Sequence, residues 1–264
     1  MRDNSSYKKN IQAKPMALRS ISAGDVLAAS SSEFNLKQSA IHMAVLLLTG
    51  CLANNSALAE PTGGVVKLGT AQIDKTGSAG QSTTTVNQIS NSLSLEWQSF
   101  NLGKTETVNF MQPTTNSVAI NRILSASGTD IQGKINANGK VWLINPNGVF
   151  FGKDAQVNVG GLVATTLDNL SNTTDSQKFQ GNSTATVENQ GSIVSTNGSV
   201  LLLGHAVKNS GTIKADGGIA ALVAGSDITL QFQNNNRISV VVNQNQLNAL
   251  ASNEGVMQAN GGQL

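Results

Sequence analysis

Few residues in this 264-residue chain could do chemistry, and they are scattered along it. The two histidines are His42 and His205, and the single cysteine is Cys51. A metal site usually needs three or four ligands, so His205, with no second histidine or cysteine downstream of Cys51, cannot form one alone. No P-loop, nucleophile elbow or dinucleotide fingerprint is present. The candidate groups therefore predict neither a metal centre nor a cofactor site.

The acidic residues give no stronger signal for catalysis. Several stand at positions typical of turns: Asp154, Asp168, Asp175, Asp216 and Asp227. Hydrolysis of a glycosidic bond needs two carboxyl groups held at a defined separation. Asp154 and Asp175 could approach one another between neighbouring turns of a repetitive fold, but their spacing does not single them out. The sequence predicts that the protein is not an enzyme.

Charge and composition exclude other classes of function. Charged residues make up 12% of the chain and aromatic residues 4%, and there are 26 glycines. Residues 60–264 contain 11 basic and 12 acidic residues, so this region is nearly neutral and offers no basic patch for nucleic acid. Because Gly, Asn, Ser and Thr are poor helix formers, their abundance predicts an extended, turn-rich, all-β chain.

An apolar segment near the N-terminus indicates export from the cytoplasm. Residues 40–53 read AIHMAVLLLTGCLA, which matches the apolar core of a signal peptide and is too short to span a bilayer. Basic residues precede it, and Ala57-Leu58-Ala59 has the small-x-small pattern of a cleavage site. We therefore expect residues 1–59 to be a leader and Glu60 to be the first mature residue. The leader is long, so either it is an extended export signal or translation starts at Met16.

The same segment allows a second processing route. Leu48-Thr49-Gly50-Cys51 resembles a bacterial lipobox, in which the cysteine is lipidated and becomes the first mature residue. A four-residue pattern arises easily inside an apolar run, so cleavage after Ala59 is favoured over lipidation of Cys51. Cleavage after Ala59 leaves residues 60–264 without a cysteine and hence without a disulfide. Both routes take the protein out of the cytoplasm.

The body of the chain contains a 20-residue repeat. VENQGSIVSTNGSVLLLGHA at 187–206 aligns with VKNSGTIKADGGIAALVAGS at 207–226, so that Asn189 matches Asn209, and a further copy begins at Asn253. Short alternating apolar segments separated by Asn-Gly, Asp-Gly or Ser-Gly indicate strands and tight turns rather than helices. A period of this length is typical of a solenoid.

The repeats predict the coils of a parallel β-helix. Strands of successive coils would pair about 4.8 Å apart, with Val, Ile and Leu stacked inside. Residues 60–264 would form roughly eight to ten coils as one elongated domain, with an insertion around 231–248. Residues 65–110 are suited to an N-terminal cap over the open end, and residues 94–102 within them carry two of the few aromatic residues. Residues 260–264 stop in mid-repeat, which predicts a fragment, a truncated product or the opening part of a longer protein.

Ordered motifs over residues 62–180 resemble the haemagglutination-activity, or two-partner-secretion, domain of filamentous haemagglutinin and its relatives. The motifs are WQSFNLG at 97–103, QP at 112–113, SVAINR at 117–122, NGKVWL at 138–143, NPNGVFFG at 145–152 and VNVGGLVATT at 157–166. So long an ordered series is specific, and the repeats continue the resemblance to the end of the chain.

The resemblance implies both a fold and a function. Domains of this kind form right-handed parallel β-helices at the start of large adhesins, haemolysins and contact-dependent toxins. They act as secretion signals for a dedicated outer-membrane β-barrel transporter, whose periplasmic domains bind the unfolded or emerging chain. The β-helix then forms on the cell surface, N-terminal coils first. We therefore expect a protein that crosses the periplasm to be secreted or displayed, with any binding of host cells or glycans left to regions beyond this chain.

Two short motifs are candidate sites for transporter recognition. The resemblance implies that transporters require Asn145-Pro146-Asn147-Gly148, yet Pro fixes φ and Asn-Gly allows positive φ, so the tetrapeptide also suits a tight turn between strands. Arg122, within Asn121-Arg122, would either pair with a carboxylate or contact the transporter during secretion. The sequence leaves both pairs of interpretations open.

Two other functions are compatible with a β-helix. Polysaccharide lyases and hydrolases use this fold, and such an enzyme would need carboxylates clustered with a basic residue on adjacent coils. A surface lipoprotein would carry lipid on Cys51 and stay in the membrane fraction. The repeats and the Asn-Pro-Asn-Gly region favour the secretion domain over both.

Overall fold

The computed structural model describes residues 59–169, 176–232, 238–244 and 249–261, all within one compact unit. These ranges consist of strands, turns and loops, and no helix in them is long and apolar enough to cross a membrane. Apart from Ala59, the predicted leader lies outside the described residues, and so does Cys51. The export segment and the lipobox therefore remain sequence-based predictions.

The described residues contain 24 strands. The first eight are β1 (Val65–Leu68), β2 (Ala71–Thr76), β3 (Thr83–Gln88), β4 (Ser92–Trp97), β5 (Thr107–Met111), β6 (Val118–Ile123), β7 (Thr129–Ile131) and β8 (Lys134–Ala137). The next eight are β9 (Lys140–Ile144), β10 (Val149–Phe151), β11 (Gln156–Val159), β12 (Gly161–Thr165), β13 (Asp168–Asn169), β14 (Ser176–Gln180), β15 (Thr186–Asn189) and β16 (Ser192–Ser195). The last eight are β17 (Val200–Gly204), β18 (Ala206–Asn209), β19 (Thr212–Asp216), β20 (Ala220–Ala224), β21 (Asp227–Phe232), β22 (Ile238–Gln244), β23 (Leu250–Asn253) and β24 (Val256–Asn260).

Three sheets form the sides of the β-helix. The seven-stranded face has the order β1-β4-β6-β9-β12-β17-β20, the eight-stranded face β2-β3-β5-β8-β11-β16-β19-β24, and the five-stranded face β23-β18-β15-β10-β7. A complete coil passes through the five-stranded, eight-stranded and seven-stranded faces in turn, as β7, β8 and β9 do. On the eight-stranded face, the described residues provide seven strands in parallel succession, from β3 to β24. They thus form seven coils rather than eight to ten, because strands outside the coils use part of the chain.

The core follows from alternation along short strands and from their parallel register. On β11, Val157 and Val159 point inward, whereas Gln156 and Asn158 are exposed. Parallel pairing places equivalent positions directly above one another, so β-branched side chains continue the same column from coil to coil. One such column on the eight-stranded face consists of Ile135, Val157, Ile193 and Ile213.

The N-terminal cap is antiparallel and shorter than the predicted 65–110. β1 pairs antiparallel with β4, and β2 pairs antiparallel with β3. β3 and β4 already pair in parallel with β5 and β6, and therefore belong to the coils. The aromatic residues assigned to the cap, Trp97 and Phe100, pack edge to face inside these first coils, with ring centroids 5.4 Å apart. The cap itself consists of β1, β2 and the residues just before them.

Asparagine side chains also stack inside the helix, at the end of the five-stranded face. Asn189 donates through Nδ2 to Oδ1 of Asn209 at 2.8 Å, and Asn209 donates in the same way to Asn253 at 2.7 Å. The three residues are in register on β15, β18 and β23. Because each buried amide has a partner in the next coil, the column avoids the cost of unsatisfied polar groups. The alignment of these three repeat copies in the sequence matches their pairing in the fold.

A separate antiparallel sheet, the outer sheet, covers part of the seven-stranded face. Its order is β13-β14-β21-β22. Phe179, Ile228 and Leu230 of this sheet are buried against outward-facing residues of the seven-stranded face, among them Trp142 and Leu201. The strands beneath are thus buried on both sides, which explains unbroken apolar runs such as VLLLG in β17. The predicted insertion around 231–248 contains β22, whereas β13 and β14 were not predicted.

Candidate recognition site

The Asn-Pro-Asn-Gly motif forms the turn between β9 and β10. Asn145 N–H donates to the carbonyl of Thr165, one coil later, and Gly148 N–H donates to the carbonyl of Asn145, each at 3.0 Å. Oδ1 of Asn145 accepts a further hydrogen bond from Asn147 N–H at 2.9 Å. Gly148 has a φ of 115°, which residues with a Cβ rarely adopt. The four residues therefore make a tight turn that depends on both asparagine and glycine.

The side chains of this turn bind the coil before it. Asn145 is fully buried, and its Nδ2 donates to the carbonyl of Ser127 at 3.1 Å and to Oγ1 of Thr129 at 2.9 Å. Asn147 is exposed, and its Nδ2 donates to the carbonyl of Ser125 at 2.8 Å. All three acceptors lie at the equivalent corner one coil earlier. The motif thus joins successive coils through its side chains as well as through its backbone.

Backbone segments also approach this turn closely from both sides. A Cβ atom on Gly128 would lie 2.9 Å from the carbonyl oxygen of Asn147, so a side chain there would push the two loops apart. On the other side, Ser183 donates through its hydroxyl to the carbonyl of Pro146. The turn is therefore enclosed between the preceding corner and the loop that leads to β15.

Asn121 lies inside the coils and is fully buried in an otherwise apolar column. Its Oδ1 accepts a hydrogen bond from Nε1 of Trp97 at 2.9 Å. Its Nδ2 donates to the carbonyls of Ala119 and Trp142, each at 3.2 Å. A buried amide that is fully satisfied in this way fixes the register of the strands around it.

Arg122 points the opposite way, out of the coils and towards the outer sheet. Its guanidinium forms an ion pair with the carboxylate of Asp168 at the start of β13, and the two side chains are 34% and 45% exposed. The structure therefore does not bring Asn121 and Arg122 together as one site. Asn121 holds the inside of the coil, whereas Arg122 connects β6 to the outer sheet.

A buried glutamine, Gln112, makes a third junction that sequence reasoning did not select as a site. Its Oε1 accepts from Gly139 N–H at 2.8 Å, and its Nε2 donates to Oε1 of Gln88, to the carbonyl of Ser117 in its own coil and to that of Lys140 in the next coil, each at 3.2 Å. The side chain of Asn138 also forms two hydrogen bonds with the backbone of Gln112, each at 2.8 Å. The sequence does contain a pattern that could have identified Gln112 as a buried residue. Val108 and Phe110 alternate with polar residues, and continuing this alternation places Gln112 on the inward side of the strand.

The groups that could do chemistry are dispersed. Among the described residues, no cluster of three or more His, Cys, Asp or Glu could hold a metal ion. Asp154 pairs with Lys104 at 2.8 Å, and its hydrogen bond raises the pKa of Lys104. Asp227 pairs with Lys178 at 3.1 Å. Asp175 lies outside the described residues, so its approach to Asp154 stays a prediction.

A depression of about 400 Å³ lies on the outer surface of the eight-stranded face. It is lined by Asn109, Phe110, Met111, Gln112, Asn136, Ala137, Asn138 and Asn158. Nδ2 of Asn136 donates to Oδ1 of Asn109 at 3.0 Å and so joins asparagine side chains of two neighbouring coils. The lining holds amides and apolar groups, which can bind but cannot transfer protons near neutral pH.

The sequence of this chain is similar to those of proteins with a secretion domain. Residues 59–264 match the family model of the TPS secretion domain, where TPS denotes two-partner secretion. A heme/hemopexin-binding protein of Haemophilus influenzae (strain ATCC 51907 / DSM 11121 / KW20 / Rd) is 34% identical over 216 residues, which cover 77% of this chain and 23% of that protein. Another heme/hemopexin-binding protein of Haemophilus influenzae is 42% identical over 113 residues, covering 42% of this chain and 12% of that protein. The chain thus spans less than a quarter of the length of these curated relatives.

A solved structure agrees with the fold. The crystal structure of the HMW1 secretion domain from Haemophilus influenzae superimposes with a TM-score of 0.62 at 29% identity, covering 75% of this chain and 57% of that chain. The predicted right-handed parallel β-helix is confirmed by this match and by the three sheets described above. The matched proteins are secretion-domain proteins rather than enzymes, and proteins of this family leave the cell through an outer-membrane partner. This chain belongs to the TPS secretion domain family.

Proposed function

We propose that this domain is the secretion signal of a larger exoprotein, recognised by the periplasmic domains of an outer-membrane β-barrel transporter and folded outside the cell. The observation that carries the proposal is the burial of Asn121 and Asn145, which have no exposed surface and whose amides bond inside the coils. The folded domain presents neither side chain to a transporter, so their part in secretion is to hold together the coils that form outside the cell. The transporter binds the chain before these coils close.

In this proposal Asn145 acts at the junction between a finished coil and the next one. Its amide bonds to Ser127 and Thr129 of a corner that has already emerged, whereas its N–H bonds to Thr165 one coil later. Each new coil of a solenoid docks on the coil before it, so folding proceeds from the N-terminal end. Burial of every added coil favours outward movement, which supplies a driving force without ATP.

We further propose that the leader directs export to the periplasm and is removed after Ala59, so that the mature protein on the surface begins at Glu60. Glu60 is buried, and its carboxylate pairs with Lys75 of β2. The hydrogen bond from Lys75 lowers the pKa of the Glu60 carboxyl group. The residue after the proposed cleavage site is thus an anchored part of the cap, which supports a folded domain that starts there.

Secretion from a Gram-negative host, with and without the cognate transporter, tests this proposal. We expect the intact mass of the product in the medium to correspond to a chain that begins at Glu60. The product should appear in the medium only when the transporter is present. Release that is indifferent to the transporter, or a membrane-bound product with lipid on Cys51, would contradict it.

Matched variants separate recognition from folding. Asn145→Ala should lower the free energy of unfolding by about 1–3 kcal/mol, because it leaves buried groups without partners. Asn147→Ala removes one hydrogen bond at an exposed position and should cost less. In urea, both unfolded chains should bind the isolated periplasmic domains as wild type does, while secretion falls with the loss of stability. If Asn145→Ala folds normally but its unfolded chain no longer binds the periplasmic domains, the Asn145 amide contacts the transporter directly. The proposed role of Asn145 in folding would then be wrong.

A further inference from the structure

The coil next to the cap contains a buried carboxylate that none of the described cationic side chains pairs with. Glu106 is fully buried. Its Oε2 accepts a hydrogen bond from Gly103 N–H at 2.8 Å, and its Oε1 accepts one from the Ser82 hydroxyl at 3.4 Å. Among the described residues, no Lys, Arg or His forms an ion pair with it. A buried ionised group without a counter-charge is costly, so a cation at this position would stabilise the cap.

A second carboxylate lies beside the first. Glu60 pairs with Lys75, and the Ser82 hydroxyl, which donates its one hydrogen to Oε1 of Glu106, also lies beside the Glu60 carboxylate. The cluster thus holds two carboxylates against one ammonium group, that of Lys75. One further positive charge would make it neutral.

The chain itself brings residue 59 to this place. A Cβ atom built on Gly103 would lie 3.4 Å from Oε2 of Glu106 and 3.6 Å from Cβ of Ala59. Oε2 of Glu106 and Cβ of Ala59 therefore lie within 3.6 Å of the same point. The backbone nitrogen of Glu60 is only three covalent bonds from the Cβ of Ala59. Glu60 N–H makes no hydrogen bond with another described residue.

We infer that Glu106 is the binding site for the α-ammonium group that cleavage after Ala59 creates on Glu60. This inference rests on the processing proposed above. Hydrolysis of the Ala59–Glu60 peptide bond converts an uncharged amide into an ammonium group with three donors. Glu106 accepts from this group through the lone pairs that Gly103 and Ser82 leave free. The first coils then reach their full stability only in the processed chain.

In this inference, stable folding of the first coils depends on removal of the leader. In the unprocessed chain, Glu106 must be buried without a counter-charge or stay in water, and either state weakens the contact of the cap with β5. In the processed chain, the new terminus supplies the missing charge at the end from which the coils grow. Removal of the leader therefore favours nucleation at the N-terminal coils.

An acetylation cycle on the mature chain 60–264 tests the inference. Acetylation of the Glu60 amine removes the charge without altering any side chain. In wild type we expect it to speed hydrogen exchange of the Gly103 amide about 10-fold to 100-fold, the range for a lost charge-assisted bond. In Glu106→Gln, which keeps an oxygen acceptor for Gly103, acetylation should change this rate less than about 2-fold. A chain that starts one residue earlier, at Ala59, moves the amine by about 3.8 Å and should behave like the acetylated protein.

Equal effects of acetylation in wild type and Glu106→Gln, or no effect in either, would overturn the inference. If Glu106→Gln does not fold, the acetylated wild-type chain is still decisive, because unchanged exchange at Gly103 excludes a bound ammonium group. The terminus of the secreted product is a separate readout. A secreted chain that starts elsewhere overturns the processing proposal itself, whereas a start at Glu60 without an acetylation effect overturns only the role of Glu106.

Discussion

The inside of the coils and the outer sheet bury apolar side chains on the two sides of the same strands, but they select those side chains in different ways. Inside, parallel register repeats one residue type above another, as in the column of Ile135, Val157, Ile193 and Ile213. Outside, Trp142 packs against Phe179 with ring centroids 5.7 Å apart, a contact between unlike side chains that no repeat reproduces. The inner core is therefore extended by adding coils, whereas the outer core is built once.

Their polar boundaries differ as well. The inner core ends in amide columns such as Asn189, Asn209 and Asn253, which are hydrogen-bonded from coil to coil. The outer core is bounded by two partly exposed ion pairs, Arg122–Asp168 and Lys178–Asp227. Exposed ion pairs contribute little stability, so the attachment of the outer sheet to the coils depends mainly on its apolar contacts. We expect the outer sheet to open while the coils remain folded.

The largest expected effect comes from removing the central aromatic of the outer core. Phe179→Ala should destabilise the outer sheet by about 3–5 kcal/mol, because it leaves a cavity against Trp142. Hydrogen exchange should show β14, β21 and β22 losing protection while β15 to β20 keep theirs. Phe150→Ala, at a half-buried outward position on β10, is the matched control and should cost much less. Loss of protection in the coils as well would mean that the two cores are one cooperative unit.

A smaller effect is expected from the middle of the asparagine column. Asn209→Ala leaves Asn189 without its acceptor and Asn253 without its donor, which should cost about 2–3 kcal/mol. Protection should fall in β15, β18 and β23 and stay constant in the outer sheet. Asn158→Ala, at an exposed position on β11, should leave stability within about 0.5 kcal/mol of wild type. Equal costs for the two changes would show that the column adds nothing beyond the backbone ladder.

A still smaller effect is expected from the ion pair between β6 and β13. Arg122→Ala and Asp168→Asn should each lower the free energy of unfolding by less than about 1 kcal/mol, since the pair is partly exposed. The double variant should cost no more than the larger single change, and salt should reduce all three effects. Chemical denaturation at low and high salt measures this. A loss of secretion without loss of stability would instead assign Arg122 to the transporter.

The pH dependence of the outer sheet should be the mildest effect. Hydrogen bonding from Asn243, together with Lys178, lowers the pKa of Asp227. A carboxyl group with a lowered folded-state pKa stabilises above its unfolded value of about 3.9 and loses this contribution as the pH falls through the folded value. Exchange in β21 and β22, corrected for the intrinsic rate, should therefore rise below about pH 4. Asp227→Asn should abolish this rise, and a rise that persists would point to another carboxyl group.

The two regions also differ in how far the sequence predicts them. The coils were predictable where the repeat has a constant length, because Asn189 and Asn209 are 20 residues apart and directly bonded. The next step of the same column, from Asn209 to Asn253, spans 44 residues, since the chain leaves the coils to form part of the outer sheet. A local period cannot reveal strands that pair across such an excursion. β13 and β14 were missed for this reason.

The candidate site was predictable in its residues but only partly in their arrangement. Pro and Asn-Gly predict a turn at 145–148, and the structure has one. The buried bonds of Asn145 to Ser127 and Thr129 depend on which corner lies one coil earlier, which the sequence does not specify. Adjacent in the chain, Asn121 and Arg122 point in opposite directions because alternate residues of a strand face opposite sides. An assignment of both to one site overlooks this alternation.

The pairing of β14 with β21 also sets an order of events. Gln180 pairs with Asp227, so every residue of 181–226 lies in the loop that this pairing closes, and two complete coils are built from that loop. Prior folding of these coils brings the ends together and so removes most of the entropy cost of closing a long loop. In a chain that emerges N-terminus first, β14 waits with an unpaired edge until β21 arrives. Pairing of β14 with β21 therefore marks the point at which the first six coils are complete.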